Sequence, residues 1–293
     1  VRVVPRLELG FAALYSLLIL LAGLGGWVAS GRPLPLAASL ALLAVYLPLA
    51  LRRPLRRRRA ARAPFPEPWR RWLQESSPYY RALDPEGRLD FERDVRLVLA
   101  ETRIAAAGGA AAGERTRLLI AAGVATMLHG RPDWEPPLRD GVTVYPGFAF
   151  DKNYRPGRGN IAGQAPAGGP LLVAEKSLWQ GFAGEGDGVN VVFHELAHYL
   201  DFEARRGGMR VASDQARPVP WAEAIAQAYE RHDFSRSPLP AYASQNEAEF
   251  FACASELFFE NPRRLSAASP RLYSLLAEFY GQDPALLPAP PPA

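Results

Sequence analysis

The stretch Val191-Val192-Phe193-His194-Glu195-Leu196-Ala197-His198 decides how the rest of the 293-residue chain is read. Its apolar positions predict a helix whose start is deeply buried. Four residues turn a helix through about 400°, so His194 and His198 project from nearly one face, a turn apart. That spacing lets two imidazoles bind one zinc ion. Glu195, one residue on from His194, reaches a water on the metal rather than the metal itself. There it can take a proton as the water attacks a carbonyl. Half of the four histidines fall in this one motif, and burying His-Glu-His costs stability unless the group binds something.

Zinc in a catalytic setting takes a third protein ligand and leaves a fourth position for water. His129, beside Gly130-Arg131-Pro132, and His232, beside Asp233, have no local support as ligands. A carboxylate from the segment Ser244 to Glu260 is the better candidate. Its spacing predicts a helix over about 245–260 with Phe250, Phe251, Ala254, Leu257 and Phe258 as the buried stripe. Ser244 and Glu247 fit a capping box. Glu249, Cys253, Glu256 and Glu260 form a second stripe, and spacing alone leaves both Glu249 and Glu256 open as ligand. Cys253, the single cysteine, reads as a small buried hydrophobe and excludes a disulfide framework.

Working outward, the N-terminus has a different character. Leu9 to Ala29 carries no charge over 21 residues, and Leu34 to Leu51 none over 18, with Ser30-Gly31-Arg32-Pro33 between them. Both are long enough to cross a bilayer, so residues 1–59 are expected to form a transmembrane hairpin with a basic flank. Residues 1–62 hold ten Arg against one Glu, Glu8, which leaves a net −5 for the remainder of a chain whose formal charge is +4. Arg52, Arg53, Arg56 to Arg59 and Arg62 follow the second apolar run at once. Positive flanks stay on the cytoplasmic side, so both ends and the following domain are expected in the cytoplasm, on a two-pass inner-membrane anchor. The Arg run also fits an anionic lipid surface. The basic charge is thus no evidence for direct nucleic-acid binding.

Beyond a Pro-rich linker at 60–68, residues 69–283 read as one helix-rich α+β domain, followed by a Pro/Ala-rich tail, 284–293, expected to be disordered. Helices are predicted near Asp90 to Ile104, Glu114 to His129, 188–205, 220–232 and 270–280. Short strands are predicted around Val142, Val144 and Phe148 and at Pro170 to Ala174. The residue pattern alone gives a gluzincin-like zinc hydrolase with its third ligand open.

Several segments then look familiar. HELAHYLD (194–201), YASQNEAEFFACASELFFENPRRL (242–265), FPEPWRRWLQESSPYYRAL (65–83), LDFERDVRLVLAETRI (89–104) and GVNVVFHELAH (188–198) resemble the Mlc titration factor A family of zinc metallopeptidases. The likeness covers roughly residues 64–283, and the core also looks like that of anthrax lethal factor. The resemblance implies one zinc held by His194, His198 and Glu249, with Glu195 as base and Tyr242 as the phenol that steadies the oxyanion. Asp201, a turn beyond His198, is a candidate for orienting a ligand or fixing the helix end, and Asn190 a further supporting candidate.

The function implied is a membrane-anchored peptidase acting on a peptide or protein substrate. The alternative is a zinc-containing regulator that sequesters a transcription repressor. The hairpin departs from the family's soluble members. The strand at Leu171 to Val173 is expected to run along the cleft as an edge that takes up extended substrate.

Overall fold

The computed structural model describes residues 6–153, 155–156, 159–166, 168–184, 186–211 and 218–288. It divides into two compact units, with the boundary between Pro64 and Phe65.

The first unit is a helical hairpin of α1 (Arg6–Ser30) and α2 (Leu34–Arg62). The turn between them needs Gly31, whose φ is +65°. Close approach of the helices depends on Gly23: a Cβ there would lie 2.3 Å from Ser39 Oγ. Glu8 pairs with Arg53 across the hairpin. Both helices are long and apolar enough to cross a membrane, and only 11% and 6% of their apolar windows are buried. Helices at the core of a soluble protein would be mostly buried, so these two sit apart from that pattern. The linker expected from Ala60 starts later, because Ala60 to Arg62 are good helix formers that extend α2. Ala63, forced out of helical geometry by Pro64, ends it with ψ 146°.

The second unit opens with α3 (Glu67–Ser76), α4 (Pro78–Ala82) and α5 (Pro85–Glu101), followed by β1 (Ile104–Ala106) and α6 (Glu114–Leu128). Next come β2 (Val142–Tyr145), β3 (Gly163–Gln164), β4 (Leu171–Ala174), α7 (Glu175–Ala183) and α8 (Val191–Arg206). The chain finishes with β5 (Arg210–Val211), β6 (Val219–Pro220), α9 (Trp221–Glu230), α10 (Glu247–Glu260), α11 (Pro262–Ala268) and α12 (Pro270–Tyr280). This is the helix-rich α+β architecture expected. The sheet order is β1-β2-β4-β3, parallel except for β3, which runs antiparallel to β4. A separate pair joins β5 to β6.

Three expectations need correction. The helix predicted to reach Ile104 stops at Glu101, because Thr102 and Ile104 are β-branched and pass into β1. Phe148 lies outside β2 and is exposed, since Gly147, at φ +93°, turns the chain first. The strand at Leu171 to Val173 is not an edge: β4 lies between β2 and β3, and β3 takes the outer position. Of the tail, Pro284–Leu286 forms a 3-10 turn and residues 289–293 lie outside the described residues.

The core is built around α6, α8 and α10. Helix α6 is buried on nearly every side and packs against α5, α7 and α8. Its approach to α8 is set by Gly123, where a Cβ would lie 2.6 Å from Val192 Cγ1. Helix α10 buries Phe250, Phe251 and Phe258 completely, against Trp221, Phe279 and Tyr280 among others. Burial of such rings contributes roughly 1.5–3 kcal/mol each, which fixes α10 against α9 and α12. Helices α8 and α10 meet through Phe193 and Phe259, whose ring centroids are 5.4 Å apart.

Candidate metal centre

Helix α8 begins at Asn190, whose Oδ1 accepts from the backbone N–H groups of Val192 (3.1 Å) and Phe193 (3.4 Å). This cap starts the helix so that His194 and His198 face α10 one turn apart, with ring centroids 5.0 Å apart. The expected capping box on α10 is absent. Asn246 stands closer to the helix and its Oδ1 accepts from Glu249 N–H at 3.0 Å, while Ser244 Oγ donates to Ala241 O. Glu247 instead accepts from Arg205 Nη2 at 3.1 Å.

The two helices run in opposite directions, so the acidic stripe of α10 lies along the histidine face of α8. Glu249 Oε2 is 3.1 Å from His194 Nε2 and 3.7 Å from His198 Nε2. One ligand atom from each of the three can meet within 4.8 Å of the others. Glu256 takes the other ring nitrogen: His194 Nδ1 to Glu256 Oε1 is 2.6 Å. Glu256 Oε2 in turn accepts from Asn190 N–H at 2.7 Å. Asn190 Nδ2 donates to Glu260 Oε1 at 3.0 Å and to Gly181 O at 3.3 Å.

The spacing of α10 therefore separates into two jobs that the sequence could not divide. Glu249 joins both imidazoles, whereas Glu256 holds the far side of one. A second possible trio, His194, Cys253 and Glu256, shares His194 with the first but lacks His198. Two imidazole nitrogens and one carboxylate oxygen make the better donor set for a divalent transition metal. With Glu256 accepting at Nδ1, the Nε2 lone pair of His194 is left to face the other donors. The residues present fit a metal ion.

Electrostatics agree with that geometry. Burial alone would lower the His194 pKa, but hydrogen bonds involving Cys253, Glu249 and Glu256 outweigh it and raise the imidazole well above its usual range. Burial also lowers His198. Glu249 is held below its ordinary value: burial would raise it, but the His194 hydrogen bond and the His198 charge prevail. Glu195 is 7% exposed, and burial pushes its carboxyl up to about 7. Cys253 is buried and its thiol is raised by desolvation, as a small hydrophobe's would be.

Tyr242 sits on a 3-10 turn (Ala241–Ser244) at the entry to α10, 46% exposed, its ring 6.1 Å from that of His194. Burial, then the charge of Glu249, raise its phenol. Asp201 makes its hydrogen bonds elsewhere: it accepts from Trp221 Nε1 at 2.7 Å and from Arg205 Nε at 2.9 Å. Of the two roles open to it, fixing the α8 end against α9 is the one its partners favour. His129 lies beside Asp94 (4.0 Å) and Tyr79, and His232 bonds Ser237 Oγ at 2.6 Å. Neither belongs to a possible metal group among the described residues. Sequence reasoning missed Gly163 and Ala165, which lie against Glu195. No periodic signal marks them.

Two histidines a turn apart, a glutamate between them and a carboxylate from a second helix define a metallopeptidase-like centre. The chain belongs to the glucose-regulated metallo-peptidase M90 family, whose model matches residues 52–281. An uncharacterized protein of Synechocystis sp. is 25% identical over 242 residues, covering 75% of this chain and 86% of that protein. Mlc titration factor A of Edwardsiella ictaluri is 33% identical over 136 residues, 42% of this chain and 49% of that protein. That of Yersinia enterocolitica is 29% identical over 164 residues, 49% and 59% respectively. The chain thus spans about half the length of the Mlc titration factor A relatives it matches. Most of the apolar hairpin precedes the matched span.

Proposed function

We propose that this protein is a membrane-anchored, zinc-dependent peptidase whose domain faces the cytoplasm. The observation that carries the reading is the convergence of His194 Nε2, His198 Nε2 and Glu249 Oε2, with Glu195 on the same helical turn. Those three residues would hold the ion. When bound, zinc supplies Lewis acidity, polarising the scissile carbonyl and acidifying a water. Glu195 would take a proton from the attacking water and pass it to the leaving amine. Tyr242 donates a hydrogen bond to the oxygen on which negative charge develops. Glu256 keeps His194 in one tautomer and orientation, and Asn190 keeps Glu256 in place.

The test is hydrolysis of a mixed peptide pool by the purified full chain. Cleavage is expected to stop on treatment with a chelator and to return with Zn²⁺ but not with Mg²⁺. Cleavage that persists in chelator would sink the reading. The anchor is tested separately, by alkaline carbonate extraction of membranes. The chain should stay in the pellet, and its release into the supernatant would overturn the membrane assignment.

A second reading draws on the name Mlc titration factor A carried by relatives. On this reading the chain binds and sequesters a transcription repressor. Repressor capture that is unaffected by Glu195→Gln would favour it.

A further inference from the structure

We propose that Gly163 is a positioning residue for Glu195, leaving empty the space that the Glu195 side chain needs. The proposal rests on the peptidase reading for its catalytic consequence, though not for the contact itself.

A Cβ built on Gly163 would lie 2.6 Å from Glu195 Cγ, 2.8 Å from Glu195 Oε1 and 2.5 Å from Val191 Cγ2. Separations below 3.0 Å force something to move. The usual reason for glycine does not apply here, because Gly163 is not among the residues with positive φ. Its backbone conformation is open to any L-residue, so the constraint is the missing side chain alone.

The strand is not free to retreat. Gly163 pairs with Val173 and Gln164 with Leu172 along β4, and Ala174 N–H donates to Ala162 O at 2.8 Å. On one side, Ile161 and Phe150 exchange backbone hydrogen bonds of 2.9 and 3.1 Å. On the other, Tyr199 OH donates to Gly169 O at 3.0 Å, tying the following loop back to α8 one turn beyond Glu195. Between these ties the backbone of Ala165 hydrogen-bonds the Glu195 carboxylate. An added methyl at 163 must therefore be met by the side chains of α8. Glu195 is the flexible one, and its carboxylate would swing away from the ligand face. A shift of about 1 Å in a reacting group is enough to cost about 100-fold in rate.

Val191 meets the same methyl, so the test separates the two neighbours. Gly163→Ala is made in the full chain and in a Val191→Ala background, each with Glu195 and with Glu195→Ala. The first readout is thermal unfolding, which needs no activity. In the Val191→Ala background, Gly163→Ala should lower Tm by at least about 3 °C more with Glu195 present than with Glu195→Ala. Equal losses in the two backgrounds overturn the proposal. The second readout is kinetic. Gly163→Ala should lower kcat by at least about tenfold with KM within about twofold and zinc content unchanged, and Val191→Ala should not restore it. A kcat within about threefold of the parent, recovery on Val191→Ala, or a loss confined to KM or zinc content also overturns it. A parent that binds zinc yet cleaves nothing, with the thermal coupling intact, rejects the peptidase reading. The Gly163–Glu195 constraint then stands on the coupling.

Discussion

Glu195→Gln will slow peptide hydrolysis by about 10²–10⁴-fold while leaving the bound metal in place. The amide matches the carboxylate in shape, so it still fits the space beside Gly163 and still accepts from the Ala165 backbone. It cannot accept a proton, and that is the function it removes. The expected loss corresponds to about 3–5 kcal/mol of barrier. Metal content is the control, since Glu195 is outside the His194–His198–Glu249 group. A variant that cleaves at the parental rate shows that no proton passes through residue 195. A variant that loses both metal and activity shows that residue 195 is needed for binding instead.

The second large effect separates two glutamates seven residues apart. With Glu249 as the proposed third ligand, Glu249→Gln is expected to take most of the metal affinity with it. Glu256→Gln removes only the acceptor on His194 Nδ1, and losing an outer partner of this kind costs about 10–100-fold in affinity. Competition for zinc against a chromogenic chelator ranks the two. If Glu256→Gln strips the metal and Glu249→Gln keeps it, the ion belongs to the His194–Cys253–Glu256 group instead.

The sequence disclosed most of what makes this site and little of what supports it. The helices carrying it were legible because their apolar residues recur at helical spacing, and the His-Glu-His motif carries its own geometry. Glu249 and Glu256 were indistinguishable because residues seven apart share a helix face. Their division depends on α8 lying antiparallel to α10, which no local pattern records. Asp201 has the same difficulty, since its partner Trp221 is 20 residues away. The capping box failed for a local reason: Asn246 outcompetes Ser244 by standing next to the first turn. Strand β3 is two residues of Gly-Gln, too short for alternation, yet it supplies the outer edge of the sheet and the neighbour of Glu195. The expectation of an edge at β4 failed for want of it.

His194 precedes Glu249 by 55 residues and Glu256 by 62. A chain made from its N-terminus therefore exposes the paired imidazoles well before either carboxylate exists. Until α10 has been synthesised and its phenylalanines have packed, the two histidines lack the carboxylate that completes their group. The group of three is thus brought together only once α10 and the α12 rings it packs against have been made. On the proposed peptidase reading, this order of events keeps the chain inert while it is itself unfolded and nascent.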